Sequence, residues 1–168
     1  MRIFSIQGSQ AVECDNLDNL TLSLDAARRP GFIWIACARR EFEVLQVQVQ
    51  AALQRLCGLQ LVDLHLSDLL NNQLPSHYDY TSQYDLMVFR RLAAGQSETD
   101  LTQPGQPLHE PTRRSGPPAL HRIDTSPVGF AVFDQVLLTI HPTDCAVRDS
   151  FAARLLANQG GEGRVAVA

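Results

Sequence analysis

Lysine is absent from this 168-residue sequence: all 14 basic side chains are arginine, set against 18 acidic residues for a net charge of −4. No basic stripe is available to neutralise a row of phosphates, which excludes a nucleic-acid footprint. Long hydrophobic runs are missing too. The longest, FIWIACA at 32–38, is far short of the roughly 20 residues a spanning helix needs. The N-terminus, MRIFSIQGSQ, lacks the extended apolar stretch of a secretory signal. Closely spaced cysteines are also missing. Cys14, Cys37, Cys57 and Cys145 never form a CxxC pair, which argues against a zinc cluster or redox centre and for reduced, mostly buried thiols in a cytosolic domain. Nor does the sequence hold a GxGxxG, a Walker loop, a GxSxG or an HExxH, the short motifs of nucleotide, hydrolase and metalloprotease sites. With 45% apolar and 7% aromatic residues, the chain is an ordinary globular sequence, long enough for one domain with a core of its own.

Its periodicities give an order of elements. Residues 2–7 alternate apolar and polar and read as a first strand. Residues 16–29 read as a loop and short helix, ended by Pro30-Gly31. The unbroken apolar run at 32–38 suits a central strand covered on both faces, so Trp34 is expected inside. Over 41–57, Phe42, Leu45, Val49, Leu53 and Leu56 recur at spacings of three and four, the stripe of an amphipathic helix, with Gly58 where a left-handed cap belongs. A short helix follows over about 63–70, with Asp63 as a plausible N-cap. Past Pro75 the period becomes two, predicting strands over 77–81 and 84–92. The segment 93–122 is rich in proline and glycine and has no period. It reads as a long surface loop. VGFAVF and VLLTIHP, separated by Asp134-Gln135, predict an antiparallel hairpin over 128–133 and 136–141. Thr143 is placed to cap a last helix to about Ala157, with Asp144 in its first turn. Helices between strands early and hairpins later imply an α/β (α+β) fold: a mixed parallel and antiparallel sheet with helices on both faces.

Few residues suggest chemistry. Asp63, His65 and Asp68 lie close in sequence, and His65 and Asp68 can share a helix face. Two ligands are only a fragment of a metal site, which needs four or more donors. Capping for Asp63 and solvation for Asp68 are the plainer readings. His141 and Cys145 can be drawn as a base and a nucleophile, but no oxyanion element or orienting third group accompanies them. His77 and His141 fall at strand ends, where a solvated or hydrogen-bonded role is the plainer reading. Tyr78, Tyr80 and Tyr84 read as sheet residues packing across strands.

A resemblance goes further than spacing. WIACARREFEVLQVQVQAALQRLCGLQLVDLHLSDLLNNQLPSHYDY, starting at Trp34, the strand YDLMVFRRL and the later VGFAVFDQVLLTIHP resemble, in order and spacing, the cytoplasmic domain of the CorA family of magnesium and cobalt transporters. A ZntB-like zinc transporter is the close alternative. The likeness covers roughly residues 32–160, interrupted by 93–122. It implies one regulatory cytoplasmic domain over 1–168, ahead of a long helix and membrane helices that lie outside the chain. It further implies a homo-pentameric transporter at the cytoplasmic face of a bacterial inner membrane, with divalent cations as cargo and no organic cofactor. In magnesium-gated members an acid on the short helix helps bind a regulatory magnesium between subunits. Asp68 matches that position, while Ser67 stands where the family often has a second acid. The family's Gly-Met-Asn signature lies beyond this sequence. Outside the resemblance, the alternatives are a standalone interaction domain and an enzyme using Cys145 and His141.

Overall fold

In a computed structural model of the chain, the described residues are 1–8, 10–17, 31–92, 125–143 and 145–157, the side chain of Leu92 excepted. The expected loop over 93–122 and the expected short helix before Pro30 lie outside them, as does Asp144. Among the described residues ten elements follow in order: β1 (Arg2–Gln7), β2 (Gln10–Cys14), β3 (Gly31–Ala38), α1 (Arg39–Cys57), α2 (Asp63–Leu70), β4 (His77–Tyr80), β5 (Asp85–Leu92), β6 (Thr125–Val132), β7 (Val136–His141) and α3 (Ala146–Ala157).

The seven strands form one sheet in the order β2-β1-β3-β7-β6-β5-β4. β3 and β7 run parallel, with Ile35 opposite Leu138, and every other pairing is antiparallel. The mixed sheet with helices is therefore the architecture the sequence implies. The run at 32–38 is its central strand, and Trp34 is 5% exposed. The hairpin of β6 and β7 is antiparallel, pairing Ala131 with Leu138.

Alternate residues of each strand face opposite sides. One face carries Ile35, Cys37, Leu86, Ala131, Leu138 and Ile140, and it meets Phe42, Val49, Leu53 and Leu56 of α1 and Leu66 and Leu69 of α2 in the main core. The other face carries Phe4, Ile6, Trp34 and Ala36, which pack with Ala152, Leu155 and Leu156 of α3. Phe4 stacks on Trp34 at 4.9 Å, and the indole N–H donates to Thr139 Oγ1 at 2.9 Å. α1 starts at Arg39, two residues before the expected position. Glu41 reaches back to the backbone N–H of Ala38 at 3.1 Å and receives the N-terminal ammonium at 2.7 Å. At the other end Gly58 takes φ +70° and donates its N–H to Gln54 O. This left-handed conformation strains any residue with a Cβ.

Four expectations need correction. β2 was not expected; it is a short edge strand on which Val12 stays exposed, and its composition is a weak strand signal. Val62, not Asp63, occupies the cap position of α2, and Asp63 is its first helical residue, an acid near the positive end of the helix dipole. In α3 the first helical bond runs from Asp149 N–H to Cys145 O, so Cys145 rather than Thr143 is the cap residue. The thiols divide evenly: Cys37 and Cys145 are buried, Cys14 and Cys57 half-buried.

Candidate functional site

The helix singled out by the sequence, α2, is seated by packing and by two histidine–carboxylate contacts. Leu69 lies against Gly129 of β6 so closely that a Cβ there would meet Leu69 Cδ2 at 2.3 Å. A glycine in this strand is what lets α2 approach the sheet. At the first turn His65 points inward and is 2% exposed. Its Nδ1 lies 2.8 Å from Tyr84 Oη, which also accepts the N–H of Val62 at 3.0 Å. Its Nε2 lies 3.1 Å from Asp79 Oδ2. An Nε2–H tautomer satisfies all three groups: Tyr84 O–H donates to Nδ1, and Nε2–H donates to the carboxylate. That bond to His65 is the main reason Asp79 titrates below the ordinary aspartate range. Burial pushes the Tyr84 phenol up. The Tyr84 ring meets the His65 ring edge-on at 5.4 Å and Phe133 at 4.8 Å.

One turn further on, Asp68 leaves the helix flank. Its side chain is 18% exposed, and one oxygen lies 3.7 Å from His77 Nε2 of β4. The two contacts cross: α2 supplies a histidine and a carboxylate, and β4 supplies the complementary carboxylate and histidine. Asp68 is thus neither a fully solvated helix acid nor a partner of His65, since the two side chains reach different residues of β4. Ser67 beside it is exposed. Among the described residues no three histidine, cysteine or acidic groups converge to hold a metal ion. A carboxylate with one open side fits a hard cation or its water shell; α2 carries two such acids, Asp63 exposed at its first residue and Asp68 half-buried on its flank. The crossing pair escapes a sequence reading because His77 and Asp79 are brought to α2 by the pairing of β4 with β5.

The alternative pair is also brought close, but in an arrangement that disarms it. His141 is 1% exposed. Its Nδ1–H donates to Pro142 O at 2.8 Å, and its Nε2 accepts from Arg148 Nη1 at 3.2 Å. Both nitrogens are therefore occupied. No hydrogen bond joins His141 to Cys145 among the described residues, and burial holds the imidazole below its ordinary pKa. A base so placed has no lone pair turned toward the thiol.

No family model and no curated protein matches the sequence. Solved structures do. The full-length CmaX protein is similar with a TM-score of 0.60 and 13% identity, over 95% of this chain and 40% of that one. The soluble domain of CorA from Methanocaldococcus jannaschii is similar with a TM-score of 0.50 and 16% identity, over 92% of this chain and 46% of that one. The complete CorA magnesium transporter of the same organism gives 0.51 and 13%, over 95% and 38%. The likeness is one of fold, and this chain spans less than half the length of each of these structures. Among the described residues no helix is long and apolar enough to cross a membrane.

Proposed function

We propose that this chain is a regulatory domain of a CorA-like divalent-cation transporter, standing at the cytoplasmic face of the membrane. The observation that carries the reading is the seven-stranded mixed sheet with its α1–α2 layer. It follows the soluble domain of CorA over 92% of this chain, and the sequence resemblance independently points to the same family. Magnesium is the proposed cargo, with cobalt and zinc as the alternatives within the family. The assembly is a homo-pentamer whose membrane helices lie outside these residues.

The mechanism is physical rather than catalytic. Asp68 offers a carboxylate oxygen, the donor that magnesium prefers, and it is held at the edge of α2 by the seat of Leu69 on Gly129. A second subunit or a later part of the chain completes the site. Without the cation, carboxylates drawn together there repel one another; with it, the closed arrangement gains. A ligand that binds one of two states more tightly shifts the balance toward that state. Because Ser67 supplies no second acid, the site on this chain alone is weak.

The test is uptake of magnesium, cobalt and zinc by proteoliposomes holding the complete protein. Selective flux of a divalent cation supports the reading. A protein that carries no divalent cation in either direction contradicts it.

A further inference from the structure

The two histidines that join α2 to β4 hold opposite tautomers. His65 Nδ1 accepts the Tyr84 hydroxyl at 2.8 Å, so its Nε2 carries the proton and donates to Asp79 at 3.1 Å. That contact is a complete hydrogen bond. His77 is turned the other way. Its Nδ1 lies 3.2 Å from Pro75 O, a carbonyl that only accepts, so Nδ1 carries the proton. In the neutral imidazole Nε2 is then a bare lone pair. It faces Asp68 Oδ2 at 3.7 Å, too far for a hydrogen bond. Two acceptors confront each other, an arrangement that favours a positive charge between them.

We infer that His77 Nε2 and Asp68 Oδ2 together bind a borderline divalent cation of the cobalt, nickel and zinc class, and that His77 sets this preference. The spacing fits. Metal bonds of about 2.0–2.1 Å to nitrogen and oxygen, opened at the tetrahedral angle, place two donors about 3.4 Å apart. The observed 3.7 Å is close to that span. The outer contact fits as well. A ligating histidine gives its other ring N–H to a carbonyl or carboxylate, which fixes the tautomer and the ring, and Pro75 O does this for His77. Both donors also stand on held elements. β4 pairs His77 with Val88 of β5, Leu69 seats α2 on Gly129, and the bond from His65 to Asp79 ties α2 to β4 beside the pair. The side chains of His77 and Asp68 are 29% and 18% exposed, so an ion reaches them from solvent.

The donor set decides the ion. Magnesium takes oxygen donors and keeps much of its water, whereas imidazole nitrogen suits cobalt, nickel and zinc. Among the described residues no third histidine, cysteine or acid joins the pair, so water or a group from another subunit fills the remaining positions. One chain alone therefore binds weakly but selectively. The inference deepens the proposed reading, on which it rests for Asp68 as the cation-facing carboxylate, by adding a nitrogen donor and the class of ion that it selects. Magnesium still meets Asp68 through oxygen and water, so the two kinds of ion compete for one carboxylate.

Zinc and magnesium titrations of the chain labelled with nitrogen-15 histidine, followed by NMR at neutral pH, test the site. Zinc is expected to move the His77 Nε2 resonance while Nδ1 keeps its proton, and to bind about tenfold or more tightly than magnesium. Asp68→Asn, which keeps the shape and removes the charge, weakens zinc severalfold. His77→Ala abolishes the preference for zinc and leaves magnesium affinity unchanged. His77→Asp keeps two donors, both now oxygen, and shifts the preference toward magnesium. Zinc affinity that survives His77→Ala places the ion on other histidines or on thiols and overturns the inference. So does equal affinity for the two ions, and so does a His77 ring protonated at both nitrogens that takes no zinc. The transport reading is judged separately: divalent-cation flux in the complete protein with no zinc at His77 sinks this site alone, and zinc at His77 with no flux sinks the transporter alone.

Discussion

Substituting alanine for Gly129 tests whether α2 is positioned by the contact that sets Asp68. Gly129 is in a regular strand and its backbone angle is one that any residue adopts, so backbone strain contributes nothing. The effect must come from the new Cβ, 2.3 Å from Leu69 Cδ2. Overpacking of this kind costs about 1–3 kcal/mol, the lower part of the range if Leu69 finds another rotamer. Leu69→Ala alone empties a site where the side chain is 1% exposed, and buried leucine truncations cost about 2–5 kcal/mol. In the double variant the methyl group introduced in place of Gly129 enters the space that Leu69 leaves, so the clash disappears and part of the cavity is filled. The coupling energy is therefore expected to be at least about 1 kcal/mol, with the double variant more stable than the sum of the two changes. For a domain of this size each 1 kcal/mol moves the midpoint of thermal unfolding by about 2–4 °C. Urea unfolding of the four proteins, followed by far-UV circular dichroism, measures the cycle. Additive effects would refute the contact as the seat of α2.

Three further outcomes follow from side chains outside that contact. Trp34, buried and donating to Thr139, is expected to emit in the range of shielded indoles, and Thr139→Val to lower stability by about 1–3 kcal/mol through its unsatisfied N–H; an emission maximum of exposed indole contradicts the central-strand placement. Replacing His65 with Phe removes the hydrogen bond that lowers the Asp79 pKa, so carbon-detected NMR should show Asp79 titrating higher, and an unchanged titration would argue against the bond. His141 is held below its ordinary value of 6.5 mainly by burial. The unfolded chain therefore takes up the proton first, and the stabilisation is complete above about pH 6.5 and lost as the pH falls below it. His141→Gln should flatten that part of the stability–pH curve, and an equally steep curve in the variant removes His141 as its cause.

Much of the fold was legible because period and composition act locally. The stripe from Phe42 to Leu56 marks α1, and the unbroken run around Trp34 marks the central strand, since a strand covered on both faces has no polar side to show. β2 was missed because its one buried residue is Ala11, which carries little strand signal, although the Gly8-Ser9 pair before it is a hairpin turn sequence. Gly58 caps α1 where the sequence puts it, whereas the N-caps of α2 and α3 fall one residue before Asp63 and two after Thr143. Capping at α1 and α2 depends on backbone geometry and on Glu41 rather than on a Ser, Thr or Asp at the boundary. The site was half visible. Asp68 stood out by resemblance, but its contact with His77 and the link from His65 to Asp79 come from a strand pairing with no short-range sequence signal. The Cys145 and His141 pair shows the opposite case: proximity was foreseeable, yet the Arg148 that occupies His141 Nε2 was not.

Magnesium dependence of conductance in the complete protein, measured for wild type and Asp68→Ala over a range of internal magnesium, reaches the central claim most directly. An Asp at the edge of α2 that senses the ion makes closure depend on its carboxylate. The Ala variant should then stay open at internal magnesium that closes the wild type, and Asp68→Glu should recover part of the response. Folding should be little changed, because among the described residues the carboxylate is paired with His77 at 3.7 Å, and a single contact of that length contributes little stability. Identical magnesium dependence in wild type and Asp68→Ala would contradict the sensing role and leave Asp68 as a surface partner of His77.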